Sequence, residues 1–150
     1  MSKRQKSDRI WLSLLPVVIS AVICILIKKH LGEIQYDVQK IDYSSVIDTM
    51  LTIWITLMGF VITAVSILIA FDGSEYTKEI RESGHYKTVM YMYIYTSFVL
   101  FIAICVFIPV NIISIWNMAI LIILNFFIIL SLELFLLCII FLFLVLHTAK

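Results

Sequence analysis

From Val89 to Leu146 the chain carries one charged residue, Glu133. The helices of a water-soluble fold each turn a polar face to solvent and do not tolerate so long a stretch without charge. About 20 apolar residues take a helix across the hydrocarbon of a bilayer, so this stretch is too long for one crossing and suits two. Pro109, Asn111, Ser114, Trp116 and Asn117 supply the turn signals and an interfacial aromatic between them. We therefore expect a third span at about 89–108 and a fourth at about 118–147. The fourth, about 45 Å long at 1.5 Å per residue, has to tilt or protrude.

The first half of the chain repeats the pattern. An apolar run at 10–27 is bounded by Arg9 and by Lys28 and Lys29, and a second run covers 46–71. No small-residue cleavage site follows the first run, which marks it as a retained helix rather than a secretory signal. Composition agrees: of 150 residues, 63% are hydrophobic and 14% are charged, against about 25% charged in a typical soluble domain. The expected fold is all-α: a single-domain integral membrane four-helix bundle. With the N-terminus inside, Lys3, Arg4, Lys6, Arg9, Lys78, Arg81, Lys87 and Lys150 lie on the inner side and Lys28, Lys29 and Lys40 on the outer. That bias puts both termini in the cytoplasm of a multi-pass inner-membrane protein. The group Tyr86, Met90, Tyr91, Met92, Tyr93 and Tyr95 then reads as an aromatic belt at the inner interface.

The polar segment 72–87 contains a stretch, 74–82, that the one-turn pairing of Glu75 with Lys78 and of Lys78 with Glu82 predicts to be a short helix. Lys78, Arg81, His85 and Lys87 are the residues here that could contact a cytosolic partner or ligand. The N-terminal cations read more plainly as anionic-lipid anchors. A net charge of +1 gives no basic face for nucleic acid, and no direct nucleic-acid binding is expected.

Enzyme signatures are missing from the sequence. His30, His85 and His147 fall in three separate polar ends without metal-ligand spacing, and there is no phosphate loop, nucleophile elbow or zinc-protease helix. We expect no catalysis, cofactor or metal. Cys24, Cys105 and Cys138 all lie in apolar runs and read as buried thiols without a disulfide.

Two features stand out from this background. In the second span Thr49, Thr52, Thr56, Gly59, Thr63 and Ser66 recur at alternating steps of three and four, which puts them on one helical face. Small and hydroxyl side chains in a membrane helix mark either a close helix–helix seam or a surface that tolerates water. Both a packing face and a pore lining in an oligomer fit the pattern. Ser13, Pro16, Ser20 and Cys24 make a shorter echo in the first span, suited to oppose that face. The second feature is intramembrane polarity in the fourth span, at Asn125 and Glu133. A charge at the bilayer centre costs about 2.5–3.5 kcal/mol on insertion scales. Glu133 is expected at the depth of Thr63 and Ser66, within reach of a hydrogen bond to the second span. Packing device, inner-rim residue and ion or proton site are the readings open to it.

Four spans with almost no mass outside them, together with the segment 60–68 (FVITAVSIL) and the Gly84-His85-Tyr86-Lys87 entry to the third span, resemble the membrane subunits of antiphage defence systems. The nearest likeness is to the KwaA family, the membrane component of Kiwa. It implies a homo-oligomer that senses phage at the bacterial inner membrane and acts through a cytosolic, DNA-binding partner protein, with no catalytic residues of its own. The second-span face also resembles HalB-type effectors, ion channels under nucleotide control. Small multidrug transporters are four-helix chains too, but their essential Glu belongs to the first helix, where this chain has none. We expect a tetramer, because a lone four-helix chain rarely buries two polar faces without a neighbour.

Overall fold

The computed structural model describes residues 3–31, 43–70, 85–113 and 118–148. They form four helices: α1 (Lys3–Leu31), α2 (Tyr43–Ala70), α3 (His85–Ile113) and α4 (Met118–Thr148). Each is long and apolar enough to cross a membrane, with qualifying segments at Ile10–Lys29, Ser44–Ala70, Tyr86–Ile113 and Ala119–Phe143. The short helix expected at 74–82, together with Lys78 and Arg81, lies outside the described residues.

Apolar side chains offer the backbone no hydrogen bonds, and the helix satisfies its interior amides and carbonyls within its own segment. The third helix runs further than its turn signals implied. Pro109 sits inside α3, which continues to Ile113. A proline this close to a helix end removes one donor, the one the Cys105 carbonyl would receive, and the remaining turn survives. Asn111, read as a turn residue, instead ties α3 to α2: its Nδ2 donates to Asp48 Oδ1 at 2.7 Å, and Ser44 Oγ donates to Asn111 Oδ1 at 3.2 Å.

The helices run alternately up and down. At the opposite end of the α2–α3 pair, the Tyr86 hydroxyl donates to the Leu68 carbonyl at 3.3 Å. Tyr93 donates to the Cys138 carbonyl at 2.8 Å, joining α3 to α4 in antiparallel fashion. α2 packs chiefly on α3 and α1 chiefly on α4.

The core follows from a heptad on α2. Ile47, Trp54, Val61 and Leu68, seven residues apart, are all buried. They pack with Val89, Tyr93, Leu100, Ala103, Phe107, Leu124 and Cys138. A seven-residue repeat keeps one apolar seam facing a neighbouring helix, as in antiparallel bundles. Trp54 is the centre of this seam. Its ring lies 5.4 Å from that of Phe107, which meets Phe127 edge-on at 6.0 Å. Its indole Nε1 donates to Ser131 Oγ at 3.1 Å, and that hydroxyl donates to the Ile128 carbonyl at 2.9 Å. Met92 and Tyr93 are also fully enclosed and Tyr86 is buried, so half of the expected aromatic and methionine belt is core; Tyr91 is the member that stands exposed, stacked on Tyr95.

Trp54→Ala empties the centre of the seam and is expected to destabilise the fold by about 3–5 kcal/mol. Trp54→Phe keeps most of the volume but orphans no more than one hydroxyl, and is expected to cost about 1 kcal/mol. Reversible unfolding in mixed detergent micelles measures both.

Candidate functional site

The α2 face singled out by sequence is exposed along its whole length: among the described residues no other helix lies over Thr49, Thr52, Thr56, Gly59, Thr63 and Ser66. At 100° per residue they lie about half a turn around α2 from Ile47, Trp54, Val61 and Leu68. The intrachain packing seam is therefore the large-residue heptad and not the hydroxyl stripe. Ridge-and-hole packing of bulky side chains around Trp54 outweighs what small residues offer there, and it leaves the opposite face outward.

Each hydroxyl on this face is satisfied locally. Thr49, Thr52, Thr56, Thr63 and Ser66 donate to the carbonyls of Ser45, Asp48, Thr52, Gly59 and Ile62, four residues back, at 2.8–2.9 Å. In this arrangement a hydroxyl can lie against an apolar surface without an unsatisfied donor, while its oxygen can still accept a further bond. A Cβ placed on Gly59 meets nothing within 4 Å, so the glycine leaves open room beside the helix.

The first-span stripe faces elsewhere. Pro16, Ser20 and Cys24 are buried and Ser13 partly so, on the side of α1 that packs on α4. The expectation that they oppose the α2 face is corrected: α1 and α2 lean on different members of the central α3–α4 pair. The contact that fixes this is Ser20 Oγ donating to Glu133 Oε2 at 3.2 Å. Glu133 thus finds its hydroxyl on α1, not on Thr63 or Ser66. Proline at position 16 leaves the Leu12 carbonyl without its usual helical donor. In the same turn the Tyr95 hydroxyl approaches the Ser13 carbonyl at 3.5 Å, from α3.

The remaining candidate residues do not converge. Asn125 donates to the Leu121 carbonyl of its own helix at 3.0 Å. Lys87 is exposed at the start of α3, beyond His85, the first residue of that helix. Among the described residues no three His, Cys, Asp or Glu side chains gather as they would around a metal ion. The three cysteines are free thiols; Cys24 and Cys138 are buried, but Cys105, expected to be buried too, is exposed. Cys138 Sγ lies 3.3 Å from Thr96 Oγ1, and Thr96 bonds the Met92 carbonyl at 2.8 Å, a small polar knot between α3 and α4.

No family model matches the chain, and no curated protein and no solved structure is significantly similar to it.

What the sequence reading missed is the heptad 47–54–61–68. Its signal was present, as four large apolar residues at sevenfold spacing, but the polar stripe on the far side of the same helix drew the assignment of the seam. Since those hydroxyls bond their own helix, Thr56→Val and Thr63→Val are expected to leave unfolding of the single chain within about 0.5 kcal/mol of wild type. Gly59→Ala is expected to hold or raise stability, by up to about 1 kcal/mol, through helix propensity. Unfolding at protein dilutions where the chain is monomeric checks both.

Proposed function

We propose that the chain is a multi-pass inner-membrane protein with both termini in the cytoplasm, that it self-associates through the exposed face of α2, and that it works as a non-enzymatic sensor or scaffold. The observation that carries this reading is the α2 face itself. Among the described residues no helix packs on this face, yet it is built of the small and hydroxyl residues that let helices approach closely in lipid. Around it the outside of the bundle is bulky and apolar, with Trp11, Phe60, Phe98, Leu136 and Phe143 exposed. Exposed to water, such a surface is an aggregation liability; exposed to lipid, it is ordinary. The excess of Lys and Arg on one side of the proposed spans supports the orientation.

In this reading the assembly is a tetramer whose cytosolic side, around Lys78, Arg81, His85 and Lys87, engages a partner protein. The resemblance to KwaA supports a role in antiphage defence, where the membrane oligomer senses phage arrival and the partner acts. Ion conduction is the second reading, and a specific observation favours it: the stripe's oxygens keep acceptor capacity, so several copies facing inward would line a wettable path. Glu133, bonded to α1 on the other side of the bundle, stands outside any such path.

Three measurements, of oligomer mass, of ion flux in liposomes and of partner co-purification, test and separate these readings. The wild type is expected to form a defined oligomer by native mass spectrometry. Thr63→Trp or Gly59→Leu should weaken association at least about tenfold, equivalent to about 1.4 kcal/mol. A wild type that stays monomeric refutes the proposal. Ion flux that is present in the wild type and lost in Thr63→Trp selects the channel reading. Charge reversal at Lys78 and Arg81 that abolishes partner co-purification while assembly persists selects the scaffold.

A further inference from the structure

The exposed face of α2 ends in a charge. At 3.6 residues per turn, positions about five turns apart, such as Asp48 and Ser66 or Ser45 and Thr63, lie on one line along a helix. Asp48 and Ser45 therefore extend the line of Ser66 and Thr63 to the Tyr43 end of α2, where Ser45, Asp48 and Thr49 are all exposed. Every other residue of α2 is uncharged, so the face is neutral along its length and carries its one charge at that end. Asp48 stands about one turn inside the start of the apolar segment Ser44–Ala70, where solvent has access to it.

The carboxylate is held in place without being neutralised. Asn111 Nδ2, in the last turn of α3, donates to its Oδ1 at 2.7 Å, and Ser44 Oγ donates to Asn111 Oδ1 at 3.2 Å. The Thr52 hydroxyl donates to the Asp48 carbonyl at 2.8 Å. The partner of the Asp48 side chain among the described residues is thus an amide, and no cation is paired with it. α2 contains no Lys or Arg, and the one Lys of α3, Lys87, lies at the far end of that helix. Lys28 and Lys29 stand at the same end of the bundle as Asp48 but on α1, which packs chiefly on α4.

Copies that share one orientation in a membrane and meet symmetrically through the same face bring like residues together. Along most of α2 these are small and hydroxyl side chains, which let the backbones approach. At the Tyr43 end they are carboxylates, which repel, and which mobile ions screen where they reach them. We propose that Asp48 regulates self-association of the α2 face: carboxylates of neighbouring copies converge at its Tyr43 end and oppose assembly, and cations from the solution at that end release it. The inference rests on association through α2, proposed above, and adds what controls it. The repulsion is confined to one end of the contact, so ions need not enter the apolar part of the face to relieve it. The bond from Asn111 keeps the carboxylate on the edge of the face, where a free side chain would swing away from its counterpart.

The test is energy transfer between full-length copies carrying donor or acceptor dyes at the C-terminus, reconstituted in liposomes of uncharged phosphatidylcholine. Association is measured with sodium chloride at about 0.01 M and at about 0.1 M on both sides, which shortens the screening length from about 30 Å to about 10 Å. Wild type is expected to associate about tenfold more tightly at the higher salt. Asp48→Asn, which keeps the shape and removes the charge, should associate at low salt at least as tightly as wild type does at high salt, and should lose the salt response. Asp48→Glu, which restores the charge, should restore it. Thr63→Trp separates the two readings. No transfer in wild type at either salt, or transfer that Thr63→Trp leaves unchanged, overturns association through α2 and this proposal with it. Wild-type association that Thr63→Trp weakens but salt does not alter overturns the role of Asp48 alone. So does an Asp48→Asn protein that responds to salt as wild type does, or that associates more weakly than wild type at low salt.

Discussion

Four helices this apolar offer a polar side chain very few partners, and an unsatisfied donor or carboxyl between them costs far more than it would in water. Where each polar group finds its partner therefore decides how the helices meet. The Trp54 indole reaches Ser131 across from α2 to α4, Tyr93 and Thr96 meet Cys138 between α3 and α4, and Ser20 meets Glu133 between α1 and α4. At one end of the α2–α3 pair Asn111 joins Ser44 and Asp48, and at the other Tyr86 reaches the Leu68 carbonyl. Bulky apolar packing supplies the area of contact, and these few bonds set register and pairing.

The same constraint gives α2 two unlike faces. Its inner face is a heptad of large residues closed around Trp54. Its outer face solves the satisfaction problem locally, each hydroxyl bonding a carbonyl of its own helix. That leaves a smooth surface of small side chains on which none of the other described helices packs. α1 is the converse case. Its small residues are spent inside the bundle, against α4, and its outer surface is bulky and apolar.

The architecture was legible because span length and hydropathy are properties of contiguous sequence. Four helices emerged around their expected positions, with α1 running beyond its expected bounds at both ends, over Lys3–Leu31, and α3 running through Pro109 to Ile113. Pairing was much less legible. The steps of three and four along Thr49 to Ser66 correctly put those residues on one face, but periodicity does not say what a face meets. Glu133 was expected against α2 because depth alone allowed it; depth allowed α1 equally, and only the placement of α1 beside α4 distinguishes Ser20 from Thr63. Aromatic residues near a helix start read as an interfacial belt, yet Tyr86 and Tyr93 found carbonyls inside the bundle and were drawn inward. In each case the sequence marked a residue that needs a partner, while three-dimensional neighbours chose which.

The central claim is that the outer face of α2 is where copies of the chain meet. A cysteine scan along α2, at 52 to 67 in a thiol-free background, tests it most directly in native membranes. The account requires intermolecular disulfides at Thr52, Thr56, Gly59, Thr63 and Ser66, recurring every three to four residues, with little at Ile55, Phe60 or Ile62. Cross-linking without that period, or none along α2 while α1 positions such as Val18 and Val22 cross-link, would contradict it.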